Sequence, residues 1–388
     1  METLFGVIVG LIALTVLVVL HELGHGLVAR RNKVVVEEFG VGFPPKAWAK
    51  KLKKSILGKN VLYSVNWLPL GGFVKLKGEY DSASKEGDYG AASYWVKTKI
   101  LLAGVFINWI TAAVLLTILA VTGMPQVIAG QFSVPSDTKV VHKDVRLGAL
   151  SHGFPAEKAG LKGKDAIKSI NGKTVETSQQ FIDYTHQFAG QTVNIDYVRD
   201  GQNKTVKVPL LKANSNKDNI VFGATLTQPQ ETRSTWSAPI VGVATTGQFT
   251  WETFKGLGSM VYNLVNGVVS QFSSDQATKE KGSAEVAEAT NNVAGPLGIL
   301  AIIFPAGVAG GLTLLVFLIA NISLALAIMN VLPIPALDGG RWFTMTIYRL
   351  MKRPLTKERE EKIQTAGFLA LMALVVLVTV ADVGKFTQ

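Results

Sequence analysis

The 388-residue chain contains no cysteine, which excludes disulfides, thiolate zinc clusters and cysteine nucleophiles together. Histidine is also scarce, with five residues in all, so a metal site built on imidazoles must draw on that handful. Acidic residues number 28 against 39 Lys and Arg, for a net charge of +11. The basic residues nevertheless form no stripe interleaved with aromatics, so no nucleic-acid partner is expected. Apolar sequence is what the chain has in excess. Hydrophobic residues make up 48% of it and mean hydropathy is +0.29, which calls for lipid or a very large core.

Four runs are long enough to choose lipid: residues 4–29, 100–122, 309–332 and 365–381. The first could be a signal peptide, but Met1 to Phe5 carries no Lys or Arg and no small-x-small cleavage site follows, so it reads as a span. Residues 27–95 hold twelve Lys and Arg and residues 332–362 hold seven. Those segments are expected to face the cytoplasm, with both termini and the long segment 123–309 outside. The expected fold is an α-helical membrane protein with four transmembrane helices, a cytoplasmic membrane-associated β-hairpin or sheet, and an extracytoplasmic α+β domain. The expected boundaries are 1–29 for the first span, 30–95 for the β region, 96–122 for the second span and 138–226 for the outer domain. A linker follows at 227–308, the third span with its following motif at 309–337, a cytoplasmic loop at 338–363 and the fourth span at 364–382.

Within the β region, NVLYSVNWLPLGGFVKLKG (60–78) alternates apolar and polar residues on either side of Pro69, Gly71 and Gly72, the pattern of a hairpin. Farther on, Trp236 to Phe272 has helical spacing and reads as an amphipathic helix lying at the outer surface, with a fifth span as the competing reading. SSDQATKEKGSAEVAEATNN (273–292) is polar and reads as a loop.

The chemistry is concentrated at LVVLHELGHGLV (17–28), where two histidines and a glutamate follow almost unbroken apolar sequence. On a helix, His21 and His25 share one face and can grip one Zn²⁺, while Glu22 acts as a base toward water. His21 lies about 26 Å along the helix from Leu4, within a hydrocarbon core of roughly 30 Å. Ionisable groups at that depth are costly and mark function.

A catalytic zinc needs a third protein ligand and one open position. His142, His152 and His186 fall in the outer segment, on the wrong side of the membrane, and there is no cysteine, so the ligand must be a carboxylate. The third span ends in NVLPIPALDGG (330–340), which keeps Asp338 in apolar sequence at a depth comparable with His25. Asp382 belongs to the outer end, and Asp338 is therefore selected over its alternative role as a turn residue before Gly339 and Gly340. Asn108, in the middle of the second span, either braces this site or packs between helices.

Residues 138–226, with RLGALSHGFPAEKAGLKGKDAIKSINGK, resemble a PDZ domain of the bacterial protease type. Such domains bind a peptide end along an open strand edge beside a glycine-containing loop, here expected near Leu147 to Leu150; the alternative is a module that serves only as a spacer or a steric plug. With HELGH in the first span, N-x-L-P-x-P-x-L-D-G-G after the third, and FGVGFP, PLGGFVK and AGVFINW between them, nearly the whole chain resembles the site-2 protease family of intramembrane zinc metalloproteases. It is most similar to the bacterial branch that regulates sigma factors, though it has one PDZ module where some relatives have two, and GGRW in place of a GGH-type continuation.

The resemblance implies hydrolysis within the membrane segment of single-span proteins trimmed by a prior protease, such as anti-sigma factors or signal-peptide remnants. His21, His25 and Asp338 would hold zinc, and Glu22 would be the general base. Asn330 would position the substrate strand, with Gly71, Gly72, Phe73, Val74 and Lys75 forming the edge strand beside it. The enzyme would sit in the bacterial cytoplasmic membrane, in contact with the lipid bilayer. The rival reading is a PDZ-bearing membrane scaffold or receptor with a non-catalytic metal site. A transporter fits poorly, because no internal repeat accompanies the spans.

Overall fold

The first apolar run holds no proline to break it, and it forms one helix, α1 (Glu2–Arg31), ending in two arginines that suit the negative end of a helix. The computed structural model describes residues 2–199, 201–214, 219–273, 275–291 and 295–386. Asp200 of the RDGQN turn, and Ser274 and Asn292 of the polar stretch, lie outside the described residues. Two compact units emerge, residues 1–119 with 239–388, and residues 120–238.

In the first unit α1 is followed by β1 (Val36–Leu52), β2 (Val61–Leu76) and α2 (Tyr94–Thr122). The hairpin expected at 60–78 is corrected by the register. β2 does fold back near Gly71, which has φ +79°, but its two arms do not pair with each other. Residues 36–41 lie between them: Phe39 pairs with Val74 on one side and Tyr63 on the other, and Gly40 pairs with Phe73 and Ser64. Residues 48–52 pair with 61–65 on the far side, so two bent strands make a four-ribbon sheet. Gly40 allows the close approach, because a Cβ there would strike the Phe73 ring. The Thr15 hydroxyl ties the bend to α1 by donating to the Pro69 carbonyl at 2.8 Å.

The second unit contains β3 (Met124–Pro125), β4 (Lys139–His142), β5 (Val145–Leu150), α3 (Pro155–Lys158), β6 (Ala166–Ile170), β7 (Lys173–Thr174), α4 (Ser178–Gln187), β8 (Thr192–Arg199), β9 (Gln202–Pro209), β10 (Ala224–Thr227) and β11 (Gln230–Arg233). Its main sheet has the order β10-β5-β6-β8-β9, with β7 paired to β6. Val193 and Ile195, two apart on β8, point inward with Val208, and so do Ile167 and Ile170 on either side of an irregularity in β6, while Phe181 of α4 packs in the same core. A capping box between Thr177 and Gln180 starts α4. Asp165 is buried, which raises its pKa, but hydrogen bonds from Arg199 at 2.7 and 2.6 Å outweigh burial and hold the carboxyl below its ordinary range.

The peptide edge expected near Leu147 to Leu150 is not open. β5 is paired on both sides, with Leu150 opposite Ala224, Leu147 opposite Leu226, and Val145 opposite Ile167. The edge strand at that end is β10, which follows Gly223 (φ +82°). β10 joins β5 only after β6, β7, β8 and β9 have been added to the same sheet, a pairing no local pattern announces.

Returning to the first unit, α5 (Ala238–Ser270) precedes α6 (Gln276–Asn291), α7 (Pro296–Gly298), a π-helical turn at Ile299–Ile303, α8 (Phe304–Ala309), α9 (Leu312–Val331), α10 (Asp338–Leu350) and α11 (Lys357–Phe386). The polar stretch read as a loop is largely α6. The first half of α5, expected as an amphipathic helix, lies lengthwise on α2. Gly242 packs against Thr117, and Trp109 Nε1 donates to Thr250 Oγ1 at 3.1 Å. Small buried residues on that face, Val241, Thr245 and Thr246, permit the contact.

Among the described residues three helices are long and apolar enough to cross a membrane, Thr3–Arg31, α2 and α9. The fourth expected run lies within α11, whose apolar stretch is bounded by Lys362 and Asp382. Residues 338–363, read as a cytoplasmic loop, are mostly helical.

Candidate metal centre

The HELGH motif occupies the last turns of α1, and the helical spacing brings its two imidazole rings within 4.8 Å, centre to centre. Both are buried, at 6% exposure. Their Nε2 atoms converge on a single oxygen of Asp338, 317 residues away in sequence: Oδ2 lies 2.9 Å from His21 and 3.2 Å from His25. Glu22 stands beside them, and the ligating atoms of His21, Glu22 and His25 lie within 4.8 Å of one another.

Asp338 reaches this point because of the sequence before and after it. Pro333 and Pro335 keep α9 from continuing, and Ala336 turns at φ +78°. Asp338 then opens α10. Gly339 and Gly340 are helical, and a Cβ on either would collide with the carbonyls of Val331 or Ile334, so the two glycines let the loop press onto the first turn. Behind the aspartate, Arg341 donates from Nε to Glu360 of α11 at 3.0 Å, donates to the Glu79 carbonyl, and stacks on Tyr89 at 4.8 Å. Arg341 of GGRW thus anchors α10 and leaves the cluster of His21, His25 and Asp338 intact.

α2 contributes no ligand but shapes the space. A Cβ on Gly24 would lie 2.8 Å from the Ala103 carbonyl, so α1 and α2 touch backbone to backbone. A Cβ on Gly104 would stand 2.5 Å from the Nε2 atoms of both histidines. Gly104 therefore keeps open the volume that the two ring nitrogens face. His25 is oriented from the other side of its ring, where Nδ1 lies 2.7 Å from the Ile100 carbonyl and donates to it when Nε2 serves as a ligand.

Two imidazole nitrogens and a carboxylate oxygen around one cleared volume fit the His₂-carboxylate donor set of catalytic zinc, which leaves a further position for water. From this follows the expectation that Gly104→Ala fills the volume. Zinc content after equilibration with a metal buffer should fall by more than tenfold, while resistance of the chain to limited proteolysis is kept.

The other residues singled out in the sequence are placed as follows. Glu22 Oε2 accepts the Val74 backbone N–H at 3.0 Å, and Gly72 lies over Val19 and Glu22, so one edge of residues 72–76 faces α1 while 36–41 holds the other. Phe73 and Val74 belong to that ribbon, and Lys75 pairs with Glu37 at 3.4 Å. Asn330, half-buried near the end of α9, donates to its own helix at the Leu326 carbonyl, 3.0 Å away. His142, His152 and His186 all belong to the other unit. Gly104 and the Ile100 carbonyl were not singled out, because neither a glycine nor a backbone oxygen carries chemistry in a sequence. Their spacing of four residues on one apolar helix is the signal that could have found them.

Residues 9–374 match the family model described as peptidase family M50. A putative zinc metalloprotease of Clostridium acetobutylicum is 30% identical over 379 residues, covering 98% of this chain and 97% of the relative. Zinc metalloprotease RasP of Geobacillus kaustophilus is 25% identical over 465 residues, covering 99% of each. Among solved structures, the PDZ domain of an SdrC-like protein from Listeria monocytogenes aligns with 23% of this chain and 93% of its own, at 31% identity and a TM-score of 0.21.

Proposed function

The chain belongs to peptidase family M50, and we propose that this zinc metalloprotease hydrolyses a peptide bond within or near the membrane-spanning segment of single-span proteins already trimmed by another protease. The observation that carries the reading is the shared Asp338 oxygen, which joins the end of one apolar helix to the loop after another.

His21, His25 and Asp338 would hold the metal. The chemistry zinc supplies when bound is Lewis acidity, which polarises a scissile carbonyl and acidifies water. Glu22 takes the proton from the attacking water and passes it to the leaving amine, which completes the hydrolysis. Neither task asks Glu22 to be a ligand.

A membrane helix hides its carbonyls in i to i−4 bonds, so the substrate must first unwind. Unwinding in lipid costs several kcal/mol for each unpaired backbone group. The ribbon from Gly71 to Lys75 lies against α1 beside Glu22, where it can receive an unwound segment as an added strand, and Asn330 can supply a side-chain bond to it. Water reaches the site through a polar cleft lined by Glu79, Tyr80, Asp338, Arg341, Glu360 and Gln364.

The setting is a bacterial cytoplasmic membrane crossed four times, with 365–381 as the fourth span. The active site lies near the cytoplasmic side, with both termini and residues 138–226 outside. The outer unit acts as a PDZ module that admits trimmed substrates or holds their exposed ends along β10. Anti-sigma factors and signal-peptide remnants are the substrate classes that suit this arrangement.

The test is reconstitution in liposomes with a trimmed single-span substrate. A span containing Gly or Pro should be cut at least tenfold faster than an all-Leu span, and a zinc chelator should abolish both reactions. Equal rates on the two spans would remove the unwinding requirement, and cutting outside the span would remove the intramembrane assignment.

A further inference from the structure

Each imidazole that binds a metal through Nε2 carries its proton on Nδ1, and that proton needs an acceptor. His25 has one in the Ile100 carbonyl. For His21 the group at Nδ1 is the side chain of Asn108, whose Nδ2 lies 3.3 Å away. Asn108 is wholly buried, and its Oδ1 has no hydrogen-bond partner among the described residues.

These facts fit one tautomer and disfavour it for a loaded site. With the proton on Nε2, His21 donates to Asp338, Nδ1 accepts from the Asn108 amide nitrogen, and the amide oxygen is orphaned. With Nε2 engaged as a ligand, the proton sits on Nδ1 and would face an N–H group. A half-turn of the amide cures this, since its two ends are nearly isosteric, and gives Oδ1 the partner it lacks.

Resting on the zinc-site reading above, we infer that Asn108 is a positioning residue for His21. Its side-chain oxygen accepts the Nδ1 proton when zinc is held, and so fixes both the tautomer and the ring. The placement is shared with the rest of α2: Ile100, Gly104 and Asn108 are spaced four apart and face His25, the cleared volume and His21 in turn. Ser323 Oγ donates to the Asn108 carbonyl at 2.9 Å and pins that turn of α2 to α9. α2 would thereby aim both imidazoles without supplying a ligand of its own.

The experiment measures zinc affinity of the full-length protein in detergent by competition with a chromogenic chelator, which reads binding and not turnover. Asn108→Leu, similar in shape but unable to accept, should weaken zinc by about 10- to 100-fold. Asn108→Asp, which offers only acceptors, should bind zinc at least as tightly as the unaltered chain. Unaltered affinity in Asn108→Leu, or a loss in Asn108→Asp equal to that in Asn108→Leu, overturns the assignment. Limited proteolysis of the zinc-free forms checks folding. Should Asn108→Leu misfold, Asn108→Ala carries the same comparison with Asn108→Asp. If the unaltered chain binds no zinc, the failure belongs to the metal-site reading and not to Asn108.

Discussion

Replacing Glu22 with Gln should leave zinc bound and reduce proteolysis by about 10²- to 10⁴-fold, the usual worth of a positioned general base. The expectation rests on what the side chain does and does not touch. The pair of Nε2 atoms converges on Asp338 without it. Its own hydrogen bond is to the Val74 backbone N–H, at 3.0 Å. A glutamine keeps an oxygen for that N–H, so the side chain stays in place beside the edge ribbon while losing its capacity to take a proton. Zinc content by atomic emission and cleavage of a trimmed substrate, measured on the same preparation, separate the two functions. A scaffold with an inert metal would be indifferent to the change. Loss of zinc together with activity would instead make Glu22 a ligand.

The second large effect is expected from Asp338→Ala, which should abolish activity by emptying the site. Loss of an outer partner of a ligand costs about 10- to 100-fold in affinity, and loss of a ligand itself must exceed that. Here the remaining donors are two imidazoles on one helix, and the carboxylate beside them, Glu22, is engaged by the Val74 backbone N–H. The Gly339–Gly340 packing and the Arg341 anchor fix the backbone at this position. The Asp338→Ala protein should retain no zinc after dialysis against a weak chelator, and added zinc should not restore cleavage. Full zinc retention would show that the aspartate is only a hydrogen-bond partner of the histidines.

Much of the metal centre was legible in the sequence because its signals are local. HELGH places two candidate ligands and a candidate base within five residues, and the helix converts that spacing into geometry with no help from the rest of the chain. Asp338 was reachable by exclusion, since an absence of cysteine and the location of the remaining histidines left few candidates. What escaped were features made by long-range pairing. Residues 60–78 carry the alternation of a hairpin, and nothing in them reveals that 36–41 slips between the arms. β5 looks like a free edge until β10 returns to cover it. α5 has the spacing of a surface helix, yet its small residues pack on α2, because shape complementarity between helices leaves little trace in hydropathy. The spacer that Gly104 provides is invisible for a simpler reason: its contribution is an empty volume.

The distance in sequence between the ligands bears on how the protein is made. The two histidines leave the ribosome with the first helix, while the aspartate that completes their cluster follows 317 residues later. A nascent chain therefore carries an incomplete cluster throughout most of its synthesis. Capture of a metal by this cluster has to wait until both ends of that long stretch are made, and it would then clasp two segments that the chain itself keeps far apart.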